Sequence, residues 1–185
     1  MKIRQSFKTA TIQLLAWVSF NSVASSARAQ NTPTIPPPAQ TQVYPRIAGY
    51  AGILHPLLTF DKDGTHANFG EVYTVGMPLG INIWKSAKIG FSLVVVPFVR
   101  AENGSSRMNN LLIHPGILAA LGNSFTRVGQ VAFKTSGRYG LTPVLNKVFK
   151  RNKNSNYFVA VPLPLQFGND RSPSIAAAFQ FGIGF

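Results

Sequence analysis

Toward the end of the chain, apolar residues fill every second position. Ala177, Phe179, Phe181, Ile183 and Phe185 alternate with Ala178, Gln180, Gly182 and Gly184. A period of two belongs to a strand with one oily face. The same rhythm recurs upstream. Phe69, Tyr73, Val75, Met77, Leu79, Ile81 and Ile83 share a face, with Gly70, Thr74, Gly76, Pro78, Gly80 and Asn82 opposite. Tyr157, Val159, Val161, Leu163, Leu165 and Phe167 form another such row. The longest oily run, Ile89 to Val99, holds three consecutive valines and Pro97, a strand composition. Eight strands are predicted: Tyr44–Leu58, Phe69–Trp84, Lys88–Ala101, Met108–Leu121, Ser124–Thr135, Tyr139–Phe149, Asn156–Phe167 and Ser174–Phe185. Segments rich in Gly, Asn, Asp and Ser separate them, such as Asp61-Lys62-Asp63-Gly64 and Glu102-Asn103-Gly104-Ser105-Ser106, and these residue types supply turn conformations.

Large apolar residues on one face and small or polar ones on the other fit a small closed sheet, whose crowded interior is filled by side chains. A soluble barrel or sandwich inverts this, with large apolar residues inside and charges outside. Here the charges gather in turns and at strand ends. The expected fold class is therefore all-β, an antiparallel up-and-down transmembrane β-barrel of about eight strands over residues 44–185. A soluble sandwich, with the oily faces packed on each other, is the alternative. An even strand number agrees with bacterial barrels, which leave both chain ends on the periplasmic side. Two features complicate the ladder. Thr142-Pro143 could cap and open a helix across 142–151. Pro56, Pro78, Pro97, Pro115, Pro162 and Pro164 each remove a ladder donor and predict bulges or kinks. Aromatic residues fall into two groups: Trp84, Phe125, Tyr157 and Phe185 at one edge, Phe69, Tyr73, Phe133 and Phe167 at the other, as girdles would.

The beginning of the chain reads as an export signal. Lys2, Arg4 and Lys8 precede a mostly apolar stretch from Ala10 to Phe20, and Ala27-Arg28-Ala29 is an A-x-A cleavage pattern. Ala27 and Ala29 would flank the cleavage step, making 1–29 a signal peptide. The apolar stretch is shorter than the roughly 20 residues of a spanning helix. Residues 30–43 follow as a lead-in rich in Pro, Thr and Gln, a composition that favours an extended, solvated chain.

The alternation ending in Phe185 resembles the C-terminal assembly signal of bacterial outer-membrane β-barrel proteins. The resemblance implies that Phe179, Phe181, Ile183 and Phe185 are read by the barrel-assembly machinery, and that the protein resides in the outer membrane. In architecture the chain resembles the small OmpX- and OmpW-type proteins, without a residue-by-residue motif.

Charge narrows the partners. Of the 18 basic residues, Lys2, Arg4, Lys8 and Arg28 fall in the signal, leaving 14 against 5 acidic ones, a net of +9. Nucleic acid is the reflex partner of a basic chain, but an exported membrane strand protein does not meet it, and no basic helix or stacking motif is present. Outer-membrane lipids and lipopolysaccharide, which carry phosphate, are the expected partners. Lys147, Lys150, Arg151 and Lys153 cluster at one proposed turn and read either as a solvated loop or, were 142–151 helical, as an interfacial basic helix. Arg46, Asn82, Arg100, His114, Gln130 and Lys134 fall on the inward face and predict a polar cluster in the lumen, with Glu102 the one acid in register on that face. That cluster reads as a hydrogen-bonded plug or as an anion-preferring passage, and eight strands leave little open space.

Chemistry finds little support. No cysteine is present, so disulfides, thiolate metal sites and a lipid-anchored cysteine are excluded. His55 and His114 each precede a proline inside an apolar strand, a setting that suits a bend with a satisfied imidazole. Asp61-x-Asp63-x-Thr65 starts like a calcium loop, but Val72 stands where the closing Glu belongs. His66 with Ser105 or Ser136 is the one set that a lipid-modifying enzyme could use, and no spacing supports it. The sequence thus predicts no catalysis, no cofactor and no metal. A structural or lipid-interacting barrel comes first, with a narrow anion or small-solute pore, a surface lipid-modifying enzyme and a periplasmic sandwich as alternatives.

Overall fold

In the computed structural model, which describes residues 43–70 and 72–185, the alternating segments pair edge to edge. The segment expected to be a signal peptide, with Ala27 and Ala29, nearly all of the Pro-rich lead-in, and Glu71 lie outside the described residues. Eleven strands are present: β1 (Arg46–Asp61), β2 (Gly64–Ala67), β3 (Val72–Gly76), β4 (Leu79–Trp84), β5 (Ile89–Glu102), β6 (Ser105–Gly122), β7 (Phe125–Lys134), β8 (Tyr139–Arg151), β9 (Asn156–Pro162), β10 (Leu165–Phe167) and β11 (Ser174–Gly184). All belong to one antiparallel sheet. Its path comes back on itself, because β11 pairs with β1 from Tyr50↔Gly184 to Phe60↔Ile175. The fold is therefore barrel-like, and a two-sheet sandwich is not what these strands build. No helix among the described residues is long and apolar enough to cross a membrane, which leaves crossing by strands untouched.

The difference between eight predicted strands and eleven observed ones has a physical cause. The predicted strand Phe69–Trp84 breaks at Met77-Pro78 into β3 and β4, and Asn156–Phe167 breaks at Leu163-Pro164 into β9 and β10. Proline has no N–H for the ladder. The flanking groups keep each piece tied: the Met77 N–H donates to the Pro97 carbonyl at 3.0 Å, and Pro78 O accepts from Gly52 N–H at 3.0 Å. Likewise Leu163 N–H donates to Pro143 O and Ala176 N–H to Pro164 O, both at 2.9 Å. β3 and β4 thus share one place between β1 and β5, and β9 and β10 share one between β8 and β11. The third addition, β2, is a short hairpin return on β1 through Gly64, whose φ of 132° suits glycine. The turn-rich composition of that stretch predicts a loop, and pairing with β1 makes it strand.

Residues 142–151 form strand, not helix. They lie within β8, with Pro143 opposite Gly129 and the ladder to β7 unbroken from Phe125↔Lys147 to Phe133↔Tyr139. Register shifts fall at Pro56/Leu58, Phe98/Val99, Ala120/Gly122 and Val148/Lys150. Tight turns use left-handed residues where the sequence supplies Asn and Gly: Asn103 and Gly104 between β5 and β6, Asn123 and Ser124 between β6 and β7. The two ends of the sheet are thereby fixed. One end carries the start of β1, the end of β11 and the connections 85–88, 123–124 and 152–155. The other carries 62–63, 68–71, 103–104, 135–138 and 168–173.

Candidate functional site

Two surfaces compete as the working part of the molecule, and the pleat separates them. On β5, Ile89, Phe91 and Leu93 are exposed while Gly90, Ser92, Val94, Val96 and Phe98 are buried. The exposed set continues around the ring through Leu79 and Ile81 on β4, Ile113 and Ile117 on β6, Val131 and Phe133 on β7, and Leu141 and Leu145 on β8. Ile117 stands 65 % exposed. Large apolar residues thus cover the outward face, and water would penalise them heavily.

Phe179, Phe181, Ile183 and Phe185, the residues expected to form an assembly signal, all point outward on β11 and its end, while Ala178 and Gln180 between them are buried. Phe185 is tied to the first strand on both sides: its N–H donates to Gly49 O and its carbonyl accepts from Gly49 N–H, each at 2.9 Å. Of the aromatics expected in girdles, Phe125 is half-buried at the larger cavity, and Trp84 departs. It shares parity with Asn82 and lines the interior.

The interior is mostly filled. Leu54, Val94, Val96, Phe98, Leu112, Ala132 and Ala178 pack as one apolar cluster, with Tyr50 against it. Ser92, His114, Gln130, Thr142 and Gln180 are buried polar residues beside it. Two cavities remain. One, of about 390 Å³, opens among Arg46, Asn82, Trp84, Arg151 and Asn156 at the end carrying the start of β1. The other, of about 250 Å³, lies among Leu54, Phe98, His114, Lys134 and Gln166 toward the opposite end. Tyr50, Gln130, Val144 and Gln180 line both, so they form the partition. Tyr50 fits there because Gly80 faces it; a Cβ at that position would land in the phenol ring. Its ring also meets Phe158 edge-on at 5.6 Å.

The six residues predicted as one lumen cluster are distributed along this interior. Arg46 and Asn82 line the larger cavity, His114 and Lys134 the smaller, and Gln130 both. Arg100 is at the rim, its guanidinium Nη2 3.0 Å from Glu102 Oε2. The partners are local: Lys134 Nζ donates to Gln166 Oε1 at 3.0 Å and lies 5.4 Å from the Phe98 ring centroid. His114 Nε2 is 3.4 Å from Thr142 Oγ1, and the buried Asn82 Oδ1 has no partner. Arg138, which the sequence reading did not single out, organises the rim above Lys134. Its Nη2 donates to Gln166 O, Ser172 O and Ser174 Oγ at 3.0–3.2 Å. Burial and the nearby Arg171 guanidinium push its pKa down, against the pull of Asp61. Nothing in the period-two pattern marks Arg138, because it sits in a turn.

The histidines are accounted for. His55 Nδ1 is 2.8 Å from the Tyr73 hydroxyl, among the rings of Phe69 and Phe181, and the register shift follows at Pro56. His66 Nε2 is 3.2 Å from Asp61 Oδ1. Among the described residues, no group of three or more His, Asp or Glu is placed to hold a metal ion. The described residues assemble no catalytic constellation.

No family model matches the chain, and no curated protein matches it. Among solved structures it has a distant likeness to a designed protein reported under "De novo design of transmembrane beta-barrels", at 10 % identity and a TM-score of 0.45, covering 78 % of this chain and 98 % of that one. A second likeness is to the outer membrane protein OprG from Pseudomonas aeruginosa, at 13 % identity and a TM-score of 0.37, covering 75 % and 92 %.

Proposed function

We propose that the protein is an integral outer-membrane β-barrel with a structural or lipid-interacting role. In this reading the eleven segments act as eight staves, β3 with β4 and β9 with β10 each making one, and β2 extending β1 as a hairpin. The observation that carries it is the outward face: large apolar side chains run around the ring while the interior is already filled. A sheet that closes on itself leaves no edge unpaired, which a hydrocarbon environment demands. β1, β5, β6 and β8 have 16, 14, 18 and 13 residues, more than the ~9–11 that a tilted strand needs to cross a bilayer. The short connections 85–88, 123–124 and 152–155 then face the periplasm together with the start of β1 and the end of β11. Outer-membrane lipids and lipopolysaccharide are the partners of the outward face, and the barrel-assembly machinery reads the β11 alternation.

The test is heat-modifiability on SDS gels of outer-membrane fractions from cells expressing the full chain. A closed barrel resists SDS until boiled. The expected result is a mobility shift on boiling, weakened by Phe185→Asp. Protein found outside the membrane fraction, with no shift, would overturn the assignment. A second reading, a narrow path for small anions, is favoured by the two cavities meeting at a shared partition. It requires conductance in planar bilayers that falls when Arg100→Gln and Lys134→Gln are combined; a silent wild-type protein removes it.

A further inference from the structure

The two ends of the sheet differ in charge. Four acidic residues are described, Asp61, Asp63, Glu102 and Asp170, and all four lie at the end opposite the chain's own first and last strand ends. The Arg100–Glu102 ion pair and the His66–Asp61 hydrogen bond are there too. The end carrying the start of β1 and the end of β11 has Arg46, Lys85, Lys88, Arg127, Lys147, Lys150, Arg151 and Lys153, and no described acid.

Three of these cations form an outward patch on neighbouring strands. Arg127 pairs across to Leu145, Lys147 to Phe125 on one side and Val159 on the other, and Lys150 to Tyr157. Residues opposite one another in register share a face, and Leu145 and Tyr157 are exposed on the outer one. Lys147 and Lys150 are an odd number of positions apart and would point to opposite faces of a regular strand. The register shift between Val148 and Lys150, with Phe149 as the extra residue, returns Lys150 to the outer face and sends Arg151 inward, to the mouth of the larger cavity. The bulge therefore gathers the two lysines on one surface. Aromatic rings are interleaved with them: Lys147 Nζ lies 4.2 Å from the Phe125 centroid and Lys150 Nζ 5.8 Å from that of Tyr157, with Phe149 61 % exposed beside it. Phe149 and Tyr157 are exposed and Phe125 is half-buried at the mouth of the larger cavity; a merely solvated charged loop would not hold rings in this way. Cations among aromatics, with Leu145, Leu141 and Val161 exposed further along the same strands, match the boundary where acyl chains give way to headgroups.

We propose that Arg127, Lys147 and Lys150 form a site for the phosphate headgroup of an anionic phospholipid in the leaflet that meets this end of the barrel. Positive charge without compensating acids complements that headgroup, and the rings hold the ammonium groups at its depth. The inference rests on the membrane reading above.

The test reconstitutes the full-length protein in phosphatidylcholine vesicles containing a trace of spin-labelled phosphatidylglycerol or spin-labelled phosphatidylcholine, and measures the motionally restricted fraction of each. Wild type should restrict phosphatidylglycerol preferentially. Each cation replaced should weaken that preference on the order of fivefold, so that Arg127→Gln/Lys147→Gln/Lys150→Gln brings the two lipids together, while Lys62→Gln/Arg107→Gln at the opposite end changes nothing. Raising salt on the wild-type protein should also shrink the preference, a readout that does not depend on the variant folding. Equal restriction of both lipids by wild type, or a preference that survives the triple change or high salt, overturns the headgroup site and leaves the barrel standing. No restricted component with either lipid means that the sheet is not in the bilayer, and overturns both.

Discussion

The outward and inward faces of the same strands are both largely apolar, yet they are built from different sizes of side chain. On β5 the outward row is Ile89, Phe91 and Leu93, and the inward row begins Gly90, Ser92, Val94. Inward residues converge from all sides of the ring, so small ones such as Gly80, Gly90 and Ser92 must make room for Tyr50, Leu54, Phe98 and Leu112, and cavities as large as methyl groups are felt. Outward residues diverge and meet only neighbours on their own face, as Phe179 meets Phe181, so bulk there adds apolar surface without crowding. In a soluble sheet, polarity separates the faces; here size does. The largest expected effect comes from breaking the outer half of that contrast. Ile113, opposite Val95 and Phe133 near the middle of β6, changed to Arg should lower unfolding free energy in vesicles by roughly 2–4 kcal/mol, as a cation at the bilayer midplane does. Denaturant titration in phosphatidylcholine vesicles reads this. An unchanged midpoint would mean that Ile113 faces water.

The next experiment sets the two faces side by side within one strand. Val96 is 2 % exposed in the interior cluster, whereas Val95 belongs to the outward row. Val96→Ala should cost about 2 kcal/mol, combining lost burial with a residual cavity. Val95→Ala should cost less than about 0.5 kcal/mol, because lipid chains close over the smaller residue. Similar losses at both positions would erase the distinction between faces.

The alternation that gives this contrast was legible in the sequence because a strand's period is insensitive to its neighbours. Facing, the outward row from Phe179 to Phe185, and most turns follow from it. What stayed hidden is what depends on pairing partners. Pro97 and Pro115 sit inside continuous strands while Pro78 and Pro164 divide theirs, and nothing local distinguishes the two kinds. The bulge at Phe149 was invisible for the same reason, so Lys147 and Lys150 could be read as a turn cluster or a helix face but not as neighbours on a strand. The alternation puts the polar residues on a face but not at a height, which comes from strand stagger. That is why Arg46 and Asn82 line one cavity, His114 and Lys134 the other, and Arg100 pairs at the rim.

The smallest effect tests whether the interior's polar groups hold the ring together or merely satisfy one another. Thr142 and His114 are both buried, on β8 and β6, with β7 between them. Thr142 Oγ1 and His114 Nε2 lie 3.4 Å apart, a long contact. Thr142→Val keeps the shape, removes the hydroxyl and leaves His114 Nε2 facing a methyl group. A full-strength buried bond would cost about 1 kcal/mol or more when one partner is left unsatisfied. A long one, next to a cavity of about 250 Å³ that His114 lines and that could admit a water, should cost about 0.5 kcal/mol. Denaturant titration of Thr142→Val against wild type in the same vesicles decides it. A loss as large as that of Val96→Ala would show the polar contact to be a structural tie across β7, equal to the apolar cluster, and the contrast between faces would then rest on hydrogen bonding as much as on size.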